Sequence, residues 1–418
     1  MTAETPSERV PRYSWYVLGV LAIVYVFNFL DRTLIYILFA PIKKEMAFSD
    51  LQLALLGATS FVIFYTLLGI PFGRLADRTN RKNLIAAGLA IWSLFSGLTG
   101  FAGGFWTIFL CRVMVGVGEA TLGPAALSLI ADYFPVRMRA TTQAVFSAGI
   151  PLGAGLAFFL GGAIGQGLGW RWAFWLLGFP GIALALVVFF LREPERGATE
   201  TARPAPSPEG WKKLIRSVPL RLHHVGYGLF AGAGYSLSLW LPLFLSRVHG
   251  MSLAAIGVFA GVTSIIGGVP GTVLGGWAAD RFRRRGRGGR MLFGSLAAAV
   301  CIPLWLVLIW SPSVALLLVA NFILLAFALA WLGPAAADVH EIAGPDLRGI
   351  AVGIYFFTVN LLGNGLVPPV LGKLNDAFGV AADPTRMRLS LMLCPILSAG
   401  AAVLLWLGSR RLEREGAA

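Results

Sequence analysis

Hydrophobic residues are arranged along this chain in long stretches that are separated by polar segments. A helix needs roughly 20 apolar residues to cross the hydrocarbon core of a bilayer. Twelve stretches of about this length cover residues 15–38, 53–74, 83–103, 105–131, 141–165, 172–191, 222–245, 253–279, 291–310, 313–338, 349–371 and 389–409. The pattern therefore predicts an all-α integral membrane protein with twelve transmembrane helices.

A longer polar segment divides the predicted spans into two groups of six. Residues 192–220 carry several prolines among mixed charges, and this composition is typical of a linker. We predict a six-helix bundle at residues 1–192, a cytoplasmic linker at residues 193–220 and a second six-helix bundle at residues 221–418.

The composition excludes several classes of protein. Of the 418 residues 57% are hydrophobic and 13% are charged, which leaves no room for a large water-soluble domain. The three cysteines, Cys111, Cys301 and Cys394, lie in apolar stretches without C-x-x-C spacing. We therefore expect no disulfide framework, no metal site and no cofactor.

The net charge of +14 suggests nucleic acid as a partner until the positions of the basic residues are considered. With the amino terminus inside, the inner segments hold 25 of the 34 lysines and arginines and the outer segments hold 7. Basic residues accumulate in cytoplasmic loops. We therefore expect no nucleic acid, and we predict a multi-pass protein of the cell membrane, the bacterial inner membrane, with both termini in the cytoplasm.

A short motif is repeated in the two groups of spans. The sequence G-R-L-A-D-R at residues 73–78 follows the second span, and G-W-A-A-D-R at residues 276–281 follows the eighth. Two parallel six-span halves are typical of transporters in which one half rocks against the other.

The first copy of this motif resembles the cytoplasmic loop of the major facilitator superfamily. That loop is represented here by G-R-L-A-D-R-T-N-R-K at residues 73–82, with Asn80 at a position where a glycine is usual. Asparagine also tolerates a positive φ, so we expect the turn to be kept. The resemblance implies two pseudo-symmetric bundles with the fold of that superfamily.

Other motifs resemble bacterial-type spinster-like transporters within the superfamily. They are N-F-L-D-R at residues 28–32, R-V-M-V-G-V-G-E-A at 112–120 and G-W-R-W-A-F at 169–174. The segment N-L-L-G-N-G-L at 360–366 has Asn364 where relatives often carry an acidic residue. The resemblance implies substrates such as lysolipids or sphingoid phosphates.

Charged residues within spans are functional candidates, and four of them stand out because they lie well away from the predicted span ends. At about 1.5 Å per residue, Asp31 and Arg112 fall at similar depths near the outer boundary, whereas Glu119 lies about 21 Å below it. We therefore predict that Asp31 pairs with Arg112 and that Glu119 has no arginine partner. Glu119, together with Asp31, is then the candidate for proton coupling, and Arg32 and Arg112 are candidates for an anionic headgroup. The alternative is a fixed ion-pair network that holds the first and fourth spans together.

The repeated motif supplies the candidate gate. By resemblance, Asp77, Arg78 and Arg81 would hold the inner ends of the two halves together, with Asp280 and Arg281 as their counterparts. The alternative is that both loops only set the topology of the chain.

The second half offers few charges within its spans. Its candidate substrate contacts are Tyr355, Asn360 and Asn364, in a wall that suits an apolar tail. The four histidines, His223, His224, His249 and His340, fall near predicted span ends, so we expect no histidine proton relay.

In the fifth span, Gly149, Pro151, Gly153 and Gly155 resemble a glycine–proline bend of antiporters, although such glycines also allow close helix packing.

These features predict a secondary transporter that works by alternating access. We expect a monomer in the lipid bilayer that couples protons to an amphipathic, lipid-like or anionic small molecule. A drug or organic-anion exporter and an uncoupled facilitator are the alternatives. An enzyme is disfavoured, because no span end gathers a nucleophile with histidine and carboxylate and no phosphate-binding G-x-x-x-x-G-K-[ST] loop exists.

Overall fold

The computed structural model describes residues 10–135, 138–195, 210–343 and 347–417, and these residues form helices and short connections. Twelve helices are long and apolar enough to cross a membrane, as the sequence predicts. The first six are α1 (Arg12–Ile37), α2 (Asp50–Arg78), α3 (Arg81–Phe101), α4 (Phe105–Tyr133), α5 (Thr141–Gly167) and α6 (Trp170–Phe189). The others are α7 (Val218–His249), α8 (Leu253–Arg283), α9 (Gly289–Trp310), α10 (Val314–Ala343), α11 (Ile350–Ala377) and α12 (Pro384–Glu415).

Twelve spans place the start of α1 and the end of α12 on the same side of the bundle. We call this side the terminal face and the opposite side the distal face. The connection between the halves lies at the terminal face, where α7 begins at Val218, three residues before the predicted boundary. A short helix, Gly210–Arg216, precedes α7, and half of the predicted linker, residues 196–209, lies outside the described residues.

The distal end of α1 continues almost directly into a short helix, Phe39–Met46. Glu45 in this helix accepts hydrogen bonds from Nε1 of Trp170 at 2.7 Å and from Nη1 of Arg171 at 2.5 Å. These bonds hold the pKa of Glu45 below its usual value. They also fix Trp170 at the distal end of α6, which is where an interfacial tryptophan is expected.

Three spans contain a widened π-helical turn. The turns are Leu55–Thr59 in α2, Thr263–Gly267 in α8 and Asn360–Leu366 in α11. Two of them meet between the halves, because Thr59 donates a hydrogen bond from Oγ1 to the carbonyl of Gly365 at 3.1 Å. Widened turns of this kind occur often at functional sites.

The glycines of α5 allow close contact with helices of both halves. A Cβ atom at Gly153 would lie 2.3 Å from the carbonyl oxygen of Val26 in α1. A Cβ atom at Gly155 would lie 2.6 Å from Ile265 in α8. The geometry therefore supports the packing interpretation of these glycines.

The turn between α2 and α3 differs from the sequence-based expectation. Asn80 has φ −66° and caps α3, with its side-chain oxygen accepting a hydrogen bond from the N–H of Asn83 at 3.1 Å. The expectation of a turn that uses a positive φ at Asn80 is wrong. Asparagine suits the position because it is a preferred helix N-cap.

Candidate transport site

The four charged residues that stand out within the predicted spans lie together between α1 and α4. Asp31, Arg112 and Glu119 are at most 1% exposed, and the side chain of Arg32 is 15% exposed. Burying such groups is costly unless each finds partners. Their partners therefore define what the cluster can do.

Arg32 and Glu119 form an ion pair. Oε2 of Glu119 accepts hydrogen bonds from Nη2 of Arg32 at 2.7 Å and from Nε at 3.0 Å. Oε1 of the same carboxylate is buried and has no partner among the described residues. The prediction that Glu119 lacks an arginine partner is therefore wrong.

The error arises from where the distal end of α1 lies. The predicted first span ends at residue 38, but the helix Phe39–Met46 extends it, and the ring centroids of Phe48 and Phe105 lie 6.0 Å apart. The distal ends of α1 with its extension and of α4 therefore lie side by side. Arg32 is 14 positions before Met46, and Glu119 is 14 positions after Phe105, so the two residues reach the same depth.

The predicted pair of Asp31 with Arg112 is not formed. Oδ1 of Asp31 accepts a hydrogen bond from Oγ of Ser96 at 2.6 Å, and Oδ2 has no partner among the described residues. Arg112 instead donates hydrogen bonds to the main-chain carbonyls of Leu56, Asp31 and Arg32 at 3.3, 3.2 and 3.1 Å. The widened turn that begins at Leu55 brings one of these carbonyls within reach of the guanidinium.

The guanidinium of Arg112 therefore joins α1, α2 and α4 and is not available to a ligand in this conformation.

We expect Arg112→Lys to lower the free energy of unfolding by about 3 kcal/mol, because buried carbonyls lose their donors. Arg171→Lys is the matched control, since Arg171 also donates to a carbonyl, that of Ala102, but is partly exposed. Thermal unfolding of both variants in detergent tests the prediction. A stable Arg112→Lys protein with lost substrate binding would restore the substrate-contact role.

Aromatic rings surround Arg32. Its guanidinium carbon lies 4.6 Å from the ring centroid of Phe29, 4.4 Å from that of Phe61 and 4.8 Å from that of Tyr65. Such cation–π contacts stabilise a charge that water reaches poorly. The result is one cation between apolar rings, an arrangement that matches an anionic head joined to an apolar body.

A second charged cluster closes the distal face, and the sequence does not predict it. Asp50, at the start of α2, accepts hydrogen bonds from Nη1 and Nη2 of Arg247 in α7 at 2.7 and 2.9 Å, and it also pairs with Lys43. Asp376 in α11 accepts hydrogen bonds from the N–H groups of Asp50 and Leu51 at 2.8 and 2.9 Å. These contacts join the two halves.

No sequence signal identifies this cluster. Asp50 is 197 positions from Arg247 and 326 positions from Asp376. Each residue lies at the end of a predicted span, where charged residues are ordinary. Only the fold shows that these three span ends meet.

The predicted gating residues lie at the terminal face. Asp77, Arg78 and Arg281 are exposed. Arg81 is 2% exposed and stays within the first half, where it donates to Asp132 at 2.5 Å and to Glu193 at 2.7 Å.

The second half repeats this arrangement. Asp280 pairs with Arg290 at 2.9 Å, and Arg290 also pairs with Glu341 at 3.0 Å, all within that half. Arg81 and Asp280 therefore hold loops to their own half in this conformation. A contact between the halves through Asp77 stays a prediction for the conformation in which the terminal face closes.

The candidate substrate contacts of the second half lie in two different environments. Asn360 and Asn364 lie in the widened turn of α11, where Asn360 donates to the carbonyl of Phe356 at 2.9 Å and Asn364 is 4% exposed. Tyr355 is 1% exposed and packs against two histidine rings at 5.5 and 5.7 Å. Contact of Tyr355 with a substrate stays a prediction, and it requires that these rings separate.

The two histidines in contact with Tyr355 are more deeply placed than the sequence indicates. His223 is fully buried, and its Nδ1 lies 3.1 Å from Nδ1 of His224, because α7 begins four residues before the predicted span. Nε2 of His223 lies 3.1 Å from the carbonyl of Ala335, so this pair ties α7 to α10. Among the described residues, no group of three or more histidine, cysteine or acidic side chains could hold a metal ion.

The fold and the buried cluster identify a class of protein. The family model of the Major Facilitator Superfamily matches residues 21–368. The chain belongs to this superfamily, and it is therefore a multi-pass membrane transporter that works by alternating access between two halves.

Within the superfamily the chain is spinster-like. It is 30% identical to protein spinster homolog 1 of Bos taurus over 94% of this chain and 80% of that protein. It is 31% identical to an MFS-type efflux pump of Mycolicibacterium smegmatis over 97% of this chain and 95% of that one. It also matches the inward-facing, unoccupied crystal structure of a bacterial homolog of the human lysosomal transporter Spinster, with TM-score 0.85, 27% identity and coverage of 98% and 99% of the two chains.

Proposed function

We propose that this protein is a proton-coupled secondary transporter of an amphipathic anion with a lipid-like body. The observation that carries the proposal is the buried ion pair between Arg32 and Glu119. Arg32 is the cation that would bind a substrate anion, and in this conformation it is paired with the carboxylate of Glu119.

The ion pair provides a physical basis for coupling. Oε1 of Glu119 is buried without a partner among the described residues, and a proton on this carboxylate would remove the cost of the buried charge. Protonation also converts a charge-assisted hydrogen bond to Arg32 into a weaker one. Arg32 then becomes available to a phosphate or carboxylate. The proton and the anion therefore bind cooperatively, and this favours co-transport.

Asp31 is the second candidate for proton coupling. Its Oδ2 is buried without a partner among the described residues, and its other oxygen has one hydroxyl donor, Ser96. It lies beside Arg32 in sequence, so its charge contributes to the field at the guanidinium. Protonation of Asp31 would strengthen the attraction of Arg32 for an anion.

Two observations support a lipid-like substrate. The rings around Arg32 offer an apolar contact directly beside the cation. The relatives include spinster homologues along most of the chain. The efflux pump of M. smegmatis, which matches over an even larger share of the chain, favours export of an organic anion or drug as the second candidate.

The terminal face is proposed to be cytoplasmic, in the cell membrane. Polar contacts between the halves close the distal face, and the similar crystal structure is inward-facing. If this chain shares the inward-facing state of that structure, its closed distal face is the outer one, and this supports a terminal face in the cytoplasm. The excess of basic residues in the terminal segments supports the same orientation.

Transport into proteoliposomes by the full chain, as a monomer in the bilayer, tests the substrate class. We expect lysophosphatidate to accumulate in response to a pH gradient and lysophosphatidylcholine, which lacks net negative charge, to accumulate less. Arg32→Ala should abolish this preference, whereas Arg386→Ala, which removes an exposed arginine at the distal face, should retain it. Equal transport of both lipids by the wild type would contradict an anion site at Arg32.

Cysteine labelling in intact cells tests the orientation. The native cysteines Cys111, Cys301 and Cys394 are buried, so the background is expected to be low. Gly103→Cys is exposed at the distal face and should react with an impermeant reagent from outside. Arg284→Cys is exposed at the terminal face and should react only after the cells are opened. The reverse pattern would overturn the orientation.

A further inference from the structure

A groove at the terminal end of α7 and α12 lies in the second half, outside the transport site. It encloses about 690 Å³, a volume typical of small-molecule sites. Its walls are Leu222 from α7 and Trp406, Leu407, Arg410, Arg411, Glu413 and Arg414 from α12. We call it the α7–α12 groove.

The α7–α12 groove has an apolar part and a basic part in a fixed order. Trp406 and Leu407 are 44% and 42% exposed, and they precede the arginines on a helix that runs out of the membrane. With 32 residues, α12 is longer than the roughly 20 that a bilayer core requires, so its last turns extend beyond the core. The apolar residues therefore lie closer to the hydrocarbon and the arginines closer to water.

The charge of the α7–α12 groove is only partly neutralised within the protein. Arg410 is 3.7 Å from Glu413, and Arg411 is 3.2 Å from Glu415. No carboxylate among the described residues lies within ion-pair distance of Arg414. The guanidinium of Arg410 lies 5.7 Å from the centre of the Trp406 ring, which orients this arginine toward the apolar part.

A basic loop flanks the groove and adds to its positive field. A Cβ atom at Gly286 would lie 3.2 Å from Oε1 of Glu413, so the loop between α8 and α9 touches the end of α12. This loop carries the exposed residues Arg284, Arg285 and Arg287. This loop therefore adds positive charge at the flank of the groove that it touches.

We propose that the α7–α12 groove binds one anionic phospholipid from the leaflet that borders the terminal face. Its phosphate lies between Arg410 and Arg414, since guanidinium groups match phosphate geometry. Its acyl chains lie against Trp406, Leu407 and Leu222. Basic pockets between transmembrane helices bind anionic headgroups in this manner. The proposal requires only that the chain spans a bilayer, so it does not depend on the transported substrate.

Fluorescence quenching of the delipidated full chain in neutral detergent tests the lipid site. The probe is phosphatidylglycerol with brominated acyl chains, and the difference between the wild type and Trp406→Phe isolates Trp406 among the 13 tryptophans. We expect saturable quenching of Trp406 by this lipid and at least about tenfold weaker quenching by brominated phosphatidylcholine, because the phosphate charge is then compensated.

Two double variants of equal charge change show which arginines act. Arg410→Gln with Arg414→Gln should weaken phosphatidylglycerol binding at least about tenfold. Arg284→Gln with Arg287→Gln removes two charges from the neighbouring loop and should weaken it less than about threefold. Both pairs lie at the surface, and unchanged helicity confirms that each variant folds.

Several outcomes overturn the proposal. They are the absence of quenching that depends on Trp406, equal quenching by the two lipids, and equal losses in the two double variants. Full displacement of the brominated lipid by inorganic phosphate at millimolar concentration also overturns it, because the groove would then be an anion site without a lipid requirement. Proton-driven transport is measured separately, so failure here leaves the proposed function untouched.

Discussion

Arg247→Ala is expected to open the distal face of the transporter. In the structure Arg247 supplies both hydrogen bonds that a side chain of the second half makes to the carboxylate of Asp50. Without Arg247 the Asp50 carboxylate, which is 1% exposed, keeps only Lys43 as a charged partner. Removing one partner of a buried pair costs about 3 kcal/mol. Opening of the distal face hydrates Asp50 and relieves this cost, so the ratio of closed to open forms should fall roughly 100-fold.

Distances between spin labels measure this shift. Labels at Gly103→Cys and Ala381→Cys report on the distal face, and labels at Glu195→Cys and Arg284→Cys report on the terminal face; all four positions are exposed. In Arg247→Ala the distal distance should increase and the terminal distance should decrease.

Arg386→Ala is the matched control for this experiment. Arg386 also lies at the distal face, but it pairs with Asp383 of its own half at 3.3 Å and is largely exposed. It should leave both distance distributions unchanged. The lock formed by Asp50 and Arg247 is refuted if Arg247→Ala also leaves them unchanged or if the control shifts them equally.

The fold follows from the sequence because each span is encoded locally. Twelve apolar stretches are sufficient to predict twelve helices, and all of them are confirmed. Several helices are longer than the predicted spans. For example, α7 begins at Val218, four residues before the apolar stretch that predicts it. The repeated G-x-x-A-D-R motif indicates the two halves, since both copies follow the same span of each half.

The pairing of the site residues does not follow from the sequence. The sequence places Asp31, Arg32, Arg112 and Glu119 in the right helices, but their partners depend on relative depth. A difference of a few residues at the distal end of α1 is sufficient to hide the pairing of Glu119 with Arg32 and to suggest a pair of Asp31 with Arg112 that does not form. The widened turn in α2 was also not predictable from spacing, and it supplies a carbonyl that Arg112 binds.

Glu119→Gln is expected to uncouple transport from the proton gradient. Glutamine resembles the protonated acid in shape and charge, so Arg32 is no longer held by an anion. The variant should bind an anionic lysolipid, should lose accumulation driven by a pH gradient, and should retain exchange of substrate for substrate. Asp31→Asn should strengthen binding, because it removes a negative charge beside Arg32, and should lower accumulation driven by the gradient, because the second candidate proton site is lost and its contact with Ser96 changes.

A fixed structural network predicts a different pattern for the same residues. Arg32 and Glu119 join α1 to α4, so in that case every substitution would lower thermal stability and any surviving protein would keep its normal pH dependence. Thermal unfolding of Glu119→Gln, Asp31→Asn and Arg32→Ala, measured on the samples used for transport, separates the two accounts.

The affinity for lysophosphatidate as a function of pH tests most directly whether Glu119 controls Arg32. In the wild type, the affinity should fall about tenfold per pH unit as Glu119 loses its proton, because binding of the anion is linked to one proton. In Glu119→Gln the affinity should be high and nearly independent of pH over the same range. The phosphate of the lipid also changes its charge with pH, and the pH dependence of lysophosphatidate binding to a phosphate-binding control protein corrects for this effect. Equal pH dependence in the wild type and Glu119→Gln would contradict the proton-controlled switch.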